Sequence, residues 1–270
     1  MLRLFLCFAF ALVVLIFDLH ATFAIDPVER LESSPRHHEW VDVKTEDGRR
    51  VKCWLVFPEV SEKATAVIVI HENRGLNDWA RGLTDQVAEA GYVAIAPDML
   101  TGMGPDGGGT DSYSSSDAAR TGIYELKQEQ VTANLDAVFA HATKIEAANG
   151  KVAVAGFCWG GGQSFGYAAH NSELAAAFVF YGTAPKDDAL LKSIACPVYG
   201  FYGGNDFRIT GQTPKVAEKM KSLGKTYDPV TYEGAGHGFM RSGEADDASE
   251  ANRTGRDEAW ERWKTILAEL

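Results

Sequence analysis

Val152-Ala153-Val154-Ala155-Gly156-Phe157-Cys158-Trp159-Gly160-Gly161-Gly162 decides how this chain folds. Its first four residues read as a short buried strand. From Trp159 to Ala169 the pattern becomes that of a helix. Between them, Gly-x-Cys-x-Gly places a reactive side chain on a sharp strand-to-helix turn. The glycines are needed because the turn brings strand and helix too close for side chains. The sulfur then stands at a helix N-terminus, where the dipole and free N–H groups favour thiolate and stabilise negative charge. The plain alternative is a buried structural cysteine in a glycine-rich turn.

The same grammar extends in both directions. Upstream, Glu39–Thr45 alternates like a half-exposed strand, Asp47-Gly48 reads as a hairpin turn, and Val51–Phe57 returns. Ala66–Ile70 and Tyr92–Ala96 are apolar runs of the kind buried on both faces of a sheet. A helix over Trp79–Ala90 separates them, ended by Gly91. Residues 101–116, rich in Gly, Ser, Asp and Thr, read as a flexible loop, and one helix is expected from about Asp117 to Ala148. Downstream come strands at Ala175–Tyr181, Val198–Tyr202 and Thr226–Tyr232, with helices at Pro214–Leu223 and 247–268. Two edge strands followed by alternating β and α predict a mostly parallel eight-stranded sheet flanked by helices: an α/β protein of one domain, with no internal repeat.

In such sheets function sits on loops after the carboxyl ends of strands. Besides Cys158, three strand ends carry reactive groups. Gly203-Gly204-Asn205-Asp206 places Asp206 where it could orient a histidine, though alone it reads as a turn. Gly234-Ala235-Gly236-His237-Gly238-Phe239 puts His237 among glycines, free to reach a nucleophile or simply solvated. His71-Glu72-Asn73-Arg74-Gly75-Leu76 follows the Ala66–Ile70 strand. The order nucleophile, acid, histidine is that of α/β-hydrolases. It assigns His237 the Cys158 proton and Asp206 the histidine tautomer. The backbone N–H groups of Trp159 and Asn73 would form the oxyanion hole. Glu72 is a carboxylate beside the presumed nucleophile, or an ion-pair partner of Arg74.

With these four motifs, residues 38–268 resemble the dienelactone hydrolase family of α/β-hydrolases. The resemblance implies a domain over 25–270 with no large cap. It implies a Cys158–His237–Asp206 triad that hydrolyses esters or lactones through a thioester acyl-enzyme, without a cofactor or metal. It further implies that Glu72 contacts the resting thiol and can accept its proton. The family binds a substrate carboxylate with arginines, which points to Arg241, and to Arg120 with Tyr124. The Gly102–Ser116 stretch and the N-terminus differ from catabolic members, which favours a broader exported carboxylesterase over a narrow hydrolase of an anionic lactone.

Arg3 precedes a 14-residue apolar run, Leu4–Phe17, short of the roughly 20 residues a spanning helix needs. With Thr22-Phe23-Ala24 behind it, residues 1–24 read as a cleaved secretory signal. An uncleaved anchor is the alternative. The expected protein is therefore exported, periplasmic or secreted, without stable membrane insertion. The net charge of −11, from 26 Lys+Arg against 37 Asp+Glu, argues against nucleic acid and gives anionic substrates no long-range help; the small-molecule ester or lactone substrate is what the resemblance implies.

Cys53 and Cys196 are expected as buried free thiols, because the family's strand order keeps them beyond disulfide reach. Residues 25–37 read as a loose lead-in. A thiol redox protein using Cys158 is a competing reading, disfavoured by the absence of C-x-x-C. A catalytically dead binding protein on the same scaffold is another.

Overall fold

The computed structural model describes residues 26–270; the expected signal segment, residues 1–24, lies outside them. A short helix α1 (Pro27–Ser33) leads into the hairpin β1 (His38–Lys44) and β2 (Arg50–Val56). Then come β3 (Ala64–Ile70), α2 (Asp78–Glu89), β4 (Val93–Pro97), α3 (Ser116–Glu125), α4 (Gln128–Ala142), β5 (Ala148–Phe157) and α5 (Trp159–His170). The second half runs β6 (Ala176–Phe180), α6 (Asp188–Ser193), β7 (Val198–Gly203), α7 (Phe207–Thr210), α8 (Thr213–Ser222), β8 (Tyr227–Tyr232), α9 (Phe239–Ser242) and α10 (Glu250–Leu267).

The eight strands form one sheet in the order β1-β2-β4-β3-β5-β6-β7-β8. β2 pairs antiparallel with β1 and β4, and every other pairing is parallel. Because side chains alternate along a strand, β3 feeds two cores. Ala66, Ile68 and Ile70 face α3, α4 and α5, while Val67 and Val69 face α2 and α10. On the α10 face, the register sets Phe157 beside Phe180 and Phe180 beside Phe201. Their rings stack at 4.5 and 4.2 Å, and the fully buried Trp263 packs across them. Such aromatic pairs contribute about 0.5–1.5 kcal/mol each beyond burial. They make a stiff floor under the carboxyl ends of β5, β6 and β7.

Three expectations need correction. The helix expected over 117–148 is two helices, broken at Leu126 and Lys127, which are both extended. No Pro or Gly marks the break. An unbroken helix would run roughly 48 Å, longer than the roughly 33 Å of the ten-residue β5 it must pack beside. Residues 25–37 are tied down rather than loose. Asp26 caps α1, and Arg36, 8% exposed, grips the buried Asp85 through Nε (2.9 Å) and an η nitrogen (2.7 Å). The 101–116 segment contains two 3-10 turns, Pro105–Gly107 and Thr110–Ser112. It is pinned by Asp98, whose carboxylate accepts from the Leu100 N–H (3.0 Å), the Thr110 N–H (2.7 Å) and the Thr110 hydroxyl (2.7 Å).

Cys53 on β2 and Cys196 before β7 are both buried and free. Five strand positions separate β2 from β7, roughly 24 Å at the usual spacing, so the two cannot pair.

Candidate active site

Cys158 closes β5 with φ 56° and ψ −113°, a conformation an L-residue adopts only under constraint. The constraint is steric. A Cβ on Gly156 would overlap the Gly160 carbonyl, and one on Gly160 would overlap the carbonyls of Ile70 and His71. The Cys158 N–H is held by the Phe180 carbonyl at 3.0 Å. The sulfur is thus lifted off the sheet at the start of α5.

The His237 loop lies alongside. The Asn252 side chain accepts from the Gly236 N–H (2.8 Å), fastening the loop to α10. Asn205 links it to the Asp206 loop, donating from its side chain to the Gly234 carbonyl (2.9 Å) and from its N–H to the Ala235 carbonyl (2.9 Å). These ties bring three side chains into line. His237 Nε2 is 3.1 Å from Cys158 Sγ, and His237 Nδ1 is 2.5 Å from the buried Asp206 carboxylate. The hydrogen bond to the sulfur, and after it the bond to Asp206, outweigh burial and push the His237 pKa up to about 9.

Glu72, nearly buried, enters beneath this line. Glu72 makes no hydrogen bond to the Cys158 thiol and no ion pair with Arg74, which pairs with Asp117. Glu72 Oε2 accepts from Arg241 Nε at 2.9 Å, and Oε1 accepts from the Tyr181 hydroxyl at 3.1 Å. Burial first, and the Glu72 charge after it, push the Tyr181 hydroxyl well above its usual range, so it remains a donor. Tyr181 has φ 41°, and its ring meets His237 edge-on at 5.1 Å. Sequence reasoning missed it, because an aromatic ending a strand reads as core.

A cavity of about 560 Å³ opens over Cys158 and His237 and is also lined by Trp159, Tyr124 and Tyr181. Of the residues expected to hold a substrate carboxylate, only Tyr124 borders it, and its hydroxyl accepts from the Asn73 side chain (3.1 Å). Arg120 lines an adjoining depression that shares Tyr124, and Arg241 is engaged with Glu72. The cations that do border the cavity are Lys186 and Arg208, and no carboxylate does. Neither cation has an ion-pair partner among the described residues. Lys186 sits on an exposed connection and Arg208 on the short helix α7, and only the fold brings them near the cavity.

Trp159 is the first residue of α5, so its N–H is one of the helix's unpaired amides. Asn73 lies in the turn shortly after β3, the strand that neighbours β5 in the sheet. Among the described residues no group of three or more His, Cys, Asp or Glu is arranged to hold a metal. A bent nucleophile position, an aligned imidazole and carboxylate, and free amides make an arrangement suited to acyl transfer.

The model of the dienelactone hydrolase family matches residues 51–270. The chain belongs to this family. Among curated relatives, a "Putative carboxymethylenebutenolidase" of Saccharolobus solfataricus is 29% identical over 252 residues, covering 82% of this chain and 95% of the relative. One of the same name from Salmonella typhimurium is 28% identical over 204 residues, 71% of this chain and 74% of the relative. Among solved structures, the "Putative Dienelactone Hydrolase" of Klebsiella pneumoniae superposes with a TM-score of 0.74 at 24% identity, over 87% of this chain and 99% of its own. The protein is thus a hydrolase of the dienelactone hydrolase family with the α/β-hydrolase fold, and its substrate is a small molecule. No helix among the described residues is long and apolar enough to cross a membrane.

Proposed function

We propose that this dienelactone hydrolase family member cleaves carboxylic esters or lactones with Cys158 as nucleophile. The observation that carries the reading is the line from Cys158 Sγ through His237 to Asp206, built on a backbone bend with positive φ at Cys158. Sγ attacks the scissile carbonyl as its proton rests on His237 Nε2. The carbonyl oxygen, now negative, is met by the N–H groups of Trp159 and Asn73. Collapse expels the alcohol, which takes the Nε2 proton, and leaves a thioester on Cys158. Water, deprotonated by His237, then releases the acid and restores the thiol. Asp206 keeps the proton of Nδ1 in place and stabilises the imidazolium. In this state Glu72 accepts hydrogen bonds from Arg241 and Tyr181. The apolar segment before residue 25 supports export of the enzyme.

The cavity favours one refinement. In a chain of net charge −11, a cavity bordered by Lys186 and Arg208 and by no carboxylate suits an ester whose remote end is anionic.

The test is hydrolysis of p-nitrophenyl acetate and of a dienelactone by the wild type and by Cys158→Ala. Turnover of the simple ester, lost in the variant, supports a general carboxylesterase. Strong preference for the lactone supports the narrow activity. Turnover retained in Cys158→Ala refutes the nucleophile. Peroxide consumption with recovery by dithiol, in place of ester cleavage, would favour a redox role.

A further inference from the structure

His71 is fully buried directly after β3, and the chemistry above gives it no part. Its partners settle its protonation. Nδ1 lies 2.7 Å from the Glu72 carbonyl oxygen, which can only accept, so Nδ1 carries the hydrogen. Nε2 accepts from the Met99 N–H at 3.3 Å, so it carries none. Burial lowers the His71 pKa, in keeping with this neutral form.

The Glu72 carbonyl and the Asn73 N–H belong to one peptide unit. In a planar trans peptide the two groups point in opposite directions. Binding the carbonyl down to a buried imidazole therefore turns the N–H away from the core. A hydrogen bond accepted at the carbonyl also polarises the unit and makes its N–H a stronger donor. The same imidazole stacks on Trp159, with ring centres 5.7 Å apart and planes within 17°. The His71 carbonyl abuts Gly160, where no Cβ would fit. One side chain thus touches the segments that carry both amides of the oxyanion hole proposed above.

We propose that His71 is a positioning residue that aims and polarises the Asn73 N–H toward the developing oxyanion. The inference rests on the reading of the site given above. It predicts an effect on the transition state rather than on binding, since the oxygen is negative only after attack.

The test compares wild type, His71→Leu and His71→Gln on a p-nitrophenyl ester and on its thionoester, in which sulfur replaces the carbonyl oxygen and accepts hydrogen bonds poorly. In His71→Leu, kcat on the oxygen ester should fall about 10- to 100-fold with KM changed less than about twofold, and the thionoester should lose far less. Gln can donate to the Glu72 carbonyl and accept from Met99, so His71→Gln should recover most of the rate. Should His71→Leu fail to fold, His71→Met takes its place. Equal losses on both substrates, a loss confined to KM, or no recovery with Gln would overturn the proposal. Alkylation of Cys158 by iodoacetamide at an unchanged rate in each variant shows an intact nucleophile and fold. Failure of the underlying reading would appear separately, as full turnover by Cys158→Ala.

Discussion

Arg241 holds Glu72, and His237 holds Cys158: two adjacent pairs with no hydrogen bond between them. Glu72 is 7% exposed and Arg241 48%. Removing the arginine leaves a nearly buried carboxylate with Tyr181 alone, while the solvent already reaching the pair limits the damage. Arg241→Ala should lower stability by about 1–2 kcal/mol. In a Glu72→Gln background the same change should cost little. Urea unfolding of the two single variants and the double variant measures the coupling, and additive losses would contradict it.

The His237 pKa, raised to about 9 from an ordinary 6.5, makes stability depend on pH. A group whose folded pKa is raised contributes fully below its unfolded value and loses that contribution as pH rises through the folded value. The stability difference between wild type and His237→Gln should therefore be greatest below about pH 6.5 and shrink as pH approaches and passes about 9. Denaturant midpoints from about pH 6 to 10 read this directly. A difference independent of pH would show that the His237–Cys158 bond does not favour the imidazolium.

Gly160 lies where α5 passes against the Ile70–His71 backbone. A methyl group there has no flexible neighbour to displace. Gly160→Ala should destabilise by about 3 kcal/mol or more, toward the upper end for overpacking. Gly166, in the same helix, has nothing within 4 Å of its would-be Cβ. There Gly→Ala should be neutral or stabilise by up to about 1 kcal/mol. Thermal melts of the pair distinguish contact from helix propensity.

Lys186 and Arg208 replace Arg120 and Arg241 as the charges that a substrate in the cavity would meet. An exposed charge contact is worth about 1 kcal/mol, so Lys186→Gln or Arg208→Gln should raise KM for an anionic ester about fivefold. A neutral ester of equal length should be unaffected. The ionic-strength dependence of kcat/KM should weaken with each replacement. Equal effects on both esters would remove the anion preference.

All eight strands were legible because apolar, β-branched or aromatic runs give way to polar residues, Gly or Pro. Cys158, Asp206 and His237 could be found because each follows a strand and stands among glycines. What escaped notice had no local signature. α6, α7 and α9 have six, four and four residues, too short for helical periodicity. α1 buries none of its own residues. The break at Leu126 comes from packing, with no helix breaker in the sequence. Tyr181 reads as the end of a strand, and His71 opens a strand-end motif in which only Glu72 and Asn73 had a role; the importance of both lies in which groups the sheet sets beside them. The nearness of Arg208 to the cavity depends on how α7 docks. The carboxylate site expected at Arg120 and Arg241 transferred a residue pattern without knowing that Glu72 would occupy one of them.

The distribution of thiols over the sheet has a practical outcome. Cys53 and Cys196 are sealed in the interior, and burial pushes the Cys196 thiol up to about 11. Cys158 stands in an open cavity. Of the three described cysteines, a water-borne electrophile meets one in the folded molecule and all three once the chain opens. Reagent uptake therefore counts competent sites at equilibrium, and the slower appearance of two more equivalents times the opening of the sheet, with no engineered label.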